Sequence, residues 1–318
     1  VTSAKKHIRH YSYYPGCSLH ASGREYDIST RELFKALRLG LQEVPDWFCC
    51  GATPAHNVDE LLSLSLCAKN LSLAEDVEGD LAVACAACFS RLKVTQHHLK
   101  EDDSKRKQVE IAIAGPATVS KTVKHILEIL ARDFGLAKLE ESVKKPLLGL
   151  KVACYYGCLL TRPPGVPELD DCEDPSIMED ILRALGAEPV KWSHRMECCG
   201  ANFTLSRPGV VLKLSSAILK SAQEAGAECI MVACPLCHGN LDIRQDSIQK
   251  YGTPEGSLMG NIFGSDFAPG SEGMPHRETP IFYVTQLAAL AMGVPTDKLG
   301  LESIIVDPRP LLKEKQLL

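Results

Sequence analysis

Ten of the fourteen cysteines fall into two ordered sets. The first reads Cys17-x31-Cys49-Cys50-x34-Cys85-x2-Cys88. The second reads Cys158-x39-Cys198-Cys199-x34-Cys234-x2-Cys237. Thiolates are soft metal ligands and the nucleophiles of disulfide exchange. A Cys-x-x-Cys brings two sulfurs from one turn to one centre. Adjacent cysteines diverge, so a Cys-Cys pair suits a bulky multi-iron centre better than a lone ion. Five thiolates per set is one more than tetrahedral zinc accepts. It is also one more than a four-cysteine cubane cluster uses. The surplus asks for a cluster with an unusual number of thiolate contacts, although the ten thiols would tolerate zinc.

The elements around the cysteines repeat as well, so the chain is written twice. Tyr13-Tyr14-Pro15-Gly16-Cys17 resembles Tyr155-Tyr156-Gly157-Cys158. Phe48-Cys49-Cys50-Gly51-Ala52 resembles Glu197-Cys198-Cys199-Gly200-Ala201, and Val83-Ala84-Cys85-Ala86-Ala87-Cys88 resembles Val232-Ala233-Cys234-Pro235-Leu236-Cys237. A weaker match pairs Val123–Leu127 with Val284–Ala288. Each half alternates short apolar runs with amphipathic helical stretches, expected at Ile28–Gly40, Val58–Glu75, Ser176–Gly186 and Val210–Gly226. This predicts an α/β fold of two pseudo-symmetric domains, 1–147 and 148–318. Each would be a small, mostly parallel sheet flanked by helices, with cysteines at the carboxyl ends of strands. The charged run Lys100–Lys107 predicts a solvated loop. Tyr251–Pro280, with six Gly and four Pro, predicts a long functional or partner-docking loop.

A Cys, then Cys-Cys-Gly, then Cys-x-x-Cys, present twice, resembles the cysteine-rich CCG domain family. The likeness is strongest to the B subunit of CoB–CoM heterodisulfide reductase and its bacterial relatives. Tyr156-Gly157-Cys158 with Arg162-Pro163, Cys234-Pro235-Leu236-Cys237-His238, and Tyr283-Val284-Thr285-Gln286-Leu287 carry the resemblance further. It implies two non-cubane [4Fe–4S] clusters. One would be held by Cys17, Cys49, Cys50, Cys85 and Cys88, and the other by Cys158, Cys198, Cys199, Cys234 and Cys237. It implies a disulfide, CoM-S-S-CoB or an analogue, reduced between the clusters in two one-electron steps. Zinc in place of one cluster is the minor variant. The expected partners are a ferredoxin-like subunit with cubane clusters and a flavin-containing subunit. The competing readings are an electron-relay subunit of a lactate-, glycolate- or succinate-linked complex, and a zinc-stabilised binding scaffold.

Composition agrees with this class. Apolar residues make up 45 % and charged residues 24 %, as in a globular protein able to bury its own core. The net charge of −5 leaves no basic footprint for nucleic acid. No stretch reaches the roughly 18 apolar residues of a membrane span. The basic start lacks an apolar signal core, so a cytoplasmic, reducing location is expected, where clustered cysteines mean metal or redox chemistry. No Gly-x-Gly-x-x-Gly follows a strand and no ferredoxin cysteine run occurs. Neither flavin nor nicotinamide is therefore expected in this chain, and electrons must come from a partner. Cys67, Cys154 and Cys229 read as buried packing residues. Cys172, among acidic neighbours, reads as exposed and unreactive. His20, His56 and His238 read first as supports of nearby ligands. Arg162 and Arg207 are candidates to meet an anionic substrate group.

Overall fold

The computed structural model describes residues 9–52, 55–251 and 277–318. Each half holds one four-stranded sheet in which every pairing is parallel. The first contains β1 (His10–Tyr14), β2 (Gly40–Glu43), β3 (Asp80–Val83) and β4 (Val123–His125), in the order β2-β1-β3-β4. The second contains β5 (Lys151–Tyr155), β6 (Glu188–Pro189), β7 (Cys229–Val232) and β8 (Ile281–Tyr283), in the equivalent order β6-β5-β7-β8. The central strands β3 and β7 are covered on both faces, which explains their unbroken apolar runs Leu81-Ala82-Val83 and Cys229-Ile230-Met231-Val232.

Helices follow the strands close to where the hydrophobic period places them, at Arg24–Ala36, Glu60–Ala74, Ile177–Ala184 and Pro208–Glu224. Two expectations need correction. Lys100–Lys107 is helical over most of its length. The helix Ala86–Glu101 stops at Asp102, whose carboxylate accepts from the Ser104 and Lys105 amides at 2.9 and 3.0 Å and starts the helix Asp103–Ala112. Charged residues are good helix formers, and an Asp at the N-cap is what restarts the helix. The fourth repeat is also out of register. β4 and β8 are the equivalent strands, and His125 and Tyr283 are the residues at which the next helices begin. Val123 therefore corresponds to Ile281, not to Val284. The stretch Tyr251–Pro280 lies, apart from its ends, outside the described residues.

The halves exchange packing. Helix Val284–Ala291 of the second half lies against Arg24–Ala36 of the first. The helical run from Ile126 to Glu141 of the first lies against Ile177–Ala184 of the second. Every residue of Val284–Ala291 is buried, which its sequence Val-Thr-Gln-Leu-Ala-Ala-Leu-Ala permits only because its polar groups are bonded. Thr285 Oγ1 meets Ser29 Oγ at 2.7 Å, and Gln286 bonds the Leu299 carbonyl at 3.0 Å. Buried apolar residues of both halves form one continuous core. No helix among the described residues is long and apolar enough to cross a membrane.

Candidate metal–sulfur site

The strand order reverses between β1 and β3, and again between β5 and β7. A parallel sheet opens a crevice at such a point, beyond the carboxyl ends of its strands. The cysteines sit there. Cys17 follows β1 and opens the short helix Cys17–His20. Cys85 follows β3 as the N-cap of Ala86–Glu101, which brings in Cys88 on its first turn. Cys49 and Cys50 arrive on the loop after β2. In the second half Cys158 follows β5, Cys198 and Cys199 follow β6, and Cys234 caps the helix Pro235–Ile243 that carries Cys237.

In the first set the five sulfurs form a connected chain. Cys17 and Cys49 lie 3.4 Å apart, and Cys50 and Cys88 lie 3.3 Å apart. Cys49 and Cys50 are neighbours in the chain, and Cys85 and Cys88 share one helix turn, close enough for their charges to interact. In the second set Cys158–Cys198 is 3.7 Å and Cys199–Cys237 is 3.6 Å, with Cys234 bonded to Cys237. Each set has a rim and a floor. Cys17, Cys49 and Cys198 are exposed and Cys158 half-buried, while the other six are buried. The floors meet, because the Ala86 amide of the first Cys-x-x-Cys turn donates to the Ala233 carbonyl of the second at 3.3 Å, which brings Cys85 and Cys234 close enough for each charge to act on the other.

Glycine enters the motif for geometric reasons. Gly51 and Gly200 take left-handed backbone angles, φ 71° and 78°. Their amides turn back onto the sulfurs of Cys49 and Cys198 at 3.4 and 3.3 Å. Cys49 is held well below the usual thiol range by hydrogen bonds from Cys17 and Cys50, against burial, with the Gly51 amide adding to them. Cys198 is brought down to about 6 by the Cys158 thiol, against burial and with help from the Gly200 and Ala201 amides. Their donors Cys17 and Cys158 are pushed up correspondingly. Each rim pair thus supplies one ready thiolate.

Several supports were invisible as such in the sequence. Tyr14 Oη donates to the Phe48 carbonyl at 2.8 Å, and its repeat equivalent Tyr155 donates to the Glu197 carbonyl at 2.6 Å. Each tyrosine pins the residue before a Cys-Cys, and its recurrence in both repeats was the available signal. Asn70 holds both the amide and the carbonyl of Phe48. Asn240 donates to the Cys199 carbonyl at 3.1 Å and its sulfur at 3.6 Å. His125 Nε2 lies 2.9 Å from the Ala84 carbonyl, while its Nδ1 accepts from the Leu127 amide, so the ring is the neutral Nε2–H tautomer.

The remaining candidates divide. His238 is buried, stacks on Tyr283 and bonds the Ile281 carbonyl at 3.0 Å, so it supports the fold. His20 pairs with Glu43 at 3.2 Å under Trp47. His56 is half-buried on the helix Ala55–Val58, just beyond the Cys49–Cys50 pair. Arg162 turns to Glu173 at 3.5 Å, and Arg207 is exposed beyond the second Cys-Cys. Cys67, Cys154 and Cys229 are buried, and Cys172 is half-buried rather than exposed. Phe48, Cys49, Val58, Leu62 and Leu66 line an apolar recess of about 440 Å³ beside the first rim.

Both sets supply sulfur and no other donor type, the donor set that iron–sulfur clusters take. Among the described residues no group of three or more His, Cys, Asp or Glu side chains is arranged to hold a metal ion.

Known proteins resemble this chain in sequence and fold. The family model described as "Cysteine-rich domain", CCG, matches twice, at residues 11–93 and 152–242. The 8-methylmenaquinol:fumarate reductase membrane anchor subunit of Wolinella succinogenes is 30% identical over 95% of this chain and 99% of its own. The B subunit of the ferredoxin:CoB-CoM heterodisulfide reductase of Methanosarcina mazei is 28% identical over 92% of each chain. The crystal structure of a hypothetical protein from Helicobacter pylori superposes with a TM-score of 0.69 at 11% identity, over 94% of this chain. The chain spans about half of that structure's length, 52%.

Proposed function

We propose, for a chain that belongs to the cysteine-rich CCG domain family, that it is an iron–sulfur oxidoreductase subunit that reduces a disulfide. The ten cysteines 17, 49, 50, 85, 88, 158, 198, 199, 234 and 237 would hold two non-cubane [4Fe–4S] clusters, one per half. Bound there, the clusters would supply one electron each to a two-electron cleavage. One observation carries this reading: the two Cys-x-x-Cys turns abut, the Ala86 amide donating to the Ala233 carbonyl at 3.3 Å, so that the two five-thiol sets lie side by side at Cys85 and Cys234. Two one-electron centres so placed are neighbours, as one S–S bond requires. The floor cysteines and the surrounding tyrosines exclude water from that junction. The rim sulfurs, with amides of Gly51 and Gly200 aimed at two of them, face the side from which substrate arrives. Relatives named as B subunits of heterodisulfide reductases, or as proteins like them, are 27–28% identical over most of the chain and support this choice.

Electrons would come from a ferredoxin-like subunit with cubane clusters, itself fed by a flavin-containing subunit. The likeness to the fumarate reductase subunit favours a second reading, a relay that passes electrons to or from a quinol-linked partner. Anaerobic purification separates the two. Iron and acid-labile sulfide near eight per chain, about four per cluster, with an EPR signal that changes on adding thiols, supports disulfide reduction. Iron and sulfide with no response to thiol or disulfide supports the relay. Zinc without sulfide overturns both.

A further inference from the structure

Three aromatic rings form a column between the halves. Tyr26, on the helix Arg24–Ala36, stacks on Tyr283 with centroids 4.1 Å apart and planes within 12°. Tyr283 stacks in turn on His238 at 4.2 Å and 9°. All three rings are buried. The column runs alongside the junction of the two cysteine sets, since His238 directly follows Cys237 and Tyr283 begins the helix after β8.

The polar tips of the column differ. His238 bonds the Ile281 carbonyl, and the Tyr283 hydroxyl lies beside Glu25, whose charge bears on it. The Tyr26 hydroxyl is fully buried and has no hydrogen-bond partner. A buried hydroxyl left unpaired forfeits the hydrogen bonds it made to water in the unfolded chain. Phenylalanine would keep the ring and its stacking without that cost, so the hydroxyl asks for a reason. Cys85 and Cys234, the floor cysteines where the two sets meet, bear on the Tyr26 hydroxyl, and they bear on Tyr283 too, but Tyr283 has Glu25 beside it while Tyr26 has no such neighbour.

We propose that the Tyr26 hydroxyl donates a hydrogen bond to a sulfur of the cluster assembly at the Cys85–Cys234 junction, a thiolate or a sulfide. This rests on the iron–sulfur reading above. Tyr26 is then a positioning residue that sets the potential of the assembly. The stack on Tyr283 and His238 fixes the ring so that its oxygen cannot turn elsewhere. A hydrogen bond to sulfur favours the reduced, more negative form, so its loss lowers the reduction potential.

The test compares the anaerobically purified full chain with its Tyr26→Phe variant. The readouts are iron and sulfide content, thermal unfolding, EPR spectrum and a potentiometric titration. The expected variant keeps its iron and melts no lower than wild type, because no partner within the protein is lost. Its potential moves negative and its EPR line shape changes. Tyr26→3-fluorotyrosine, a stronger donor of the same shape, moves the potential the opposite way. Tyr283→Phe leaves the potential unchanged, because that hydroxyl has Glu25 beside it as its acceptor. An unchanged potential and spectrum in Tyr26→Phe overturns the assignment and leaves the iron–sulfur reading standing. A shift of equal size in Tyr283→Phe also overturns it. A wild-type chain without iron and sulfide overturns the iron–sulfur reading itself, and this proposal with it.

Discussion

The backbone amide of Ala86 donates to the carbonyl of Ala233 at 3.3 Å. It joins the two Cys-x-x-Cys turns, which are 147 positions apart in the chain (233 − 86). His125, buried beneath them, bonds the Ala84 carbonyl at 2.9 Å and senses the Ala233 carbonyl of the other half. The floor of the site is therefore a shared structure, and that makes its consequences testable.

Removing one ligand should empty one half. Cys49→Ser or Cys198→Ser is expected to halve the iron and sulfide content. Cys154→Ala and Cys229→Ala should keep both in full, at a stability cost of about 1–3 kcal/mol for a small buried side chain. Iron analysis and denaturant unfolding check this. Equal iron loss in Cys154→Ala would remove the distinction between the two classes of cysteine.

Glycine at 16 and 157 is required by a close approach. A Cβ on Gly16 would fall 2.9 Å from Cys88 Sγ, and one on Gly157 would fall 3.2 Å from Cys237 Sγ. Both residues have positive φ, 75° and 67°. Gly16→Ala should cost at least about 1 kcal/mol from backbone strain alone and displace a floor sulfur, so iron should be lost more readily to a chelator. Gly157→Ala should show the same defect in milder form. Chelator-release kinetics rank the two, and the reverse order would contradict the geometry.

His125 should make folding pH-dependent. Burial holds its pKa at about 4, below the ordinary 6.5. Between those values the unfolded chain binds the proton and the folded chain does not. Its contribution to stability is therefore present above about pH 6.5 and is lost as pH falls toward 4. The full window amounts to about 3 kcal/mol. His125→Gln removes the titration and weakens the paired carbonyls. The stability gap between wild type and variant should be widest near neutrality and narrow on acidification. Unfolding curves that stay parallel from pH 7 to 4 would rule the effect out.

The halves should unfold together. Their buried apolar residues form one core, and Ser29 and Thr285 share a buried hydrogen bond across it. A double-mutant cycle of Ser29→Ala and Thr285→Val should give a coupling of about 0.5–1.5 kcal/mol. Denaturant unfolding should be a single transition by both fluorescence and circular dichroism. Two resolved transitions with zero coupling would mean that residues 1–147 and 148–318 act as separate domains.

Much of this protein was legible in its sequence because the informative signals are local. The Cys-Cys-Gly and Cys-x-x-Cys clusters, the apolar runs of β3 and β7 and the helix periods each depend on neighbours within a turn or two, and the longer spacings and repeated segments can be read along the chain without its fold. They were enough for the parallel α/β halves and for the CCG family. The Asp102 cap at Lys100–Lys107 was local too, and was hidden only because a charged run reads as solvent-facing whether it is loop or helix. The fourth repeat slipped in register because Val123–His125 and Ile281–Tyr283 share strand character but no side-chain identity.

What the sequence could not decide was everything that depends on how the halves meet. Val284–Ala291 is apolar enough to be buried anywhere, and only the tertiary fold sets it against Arg24–Ala36. The same exchange brings Cys85 to Cys234 and His125 to Ala233, and it stacks Tyr26 on Tyr283. Residue types and spacings name the candidate ligands, because metal chemistry reads donor type. Long-range packing, which has no period in the chain, determined that the two ligand sets share one floor.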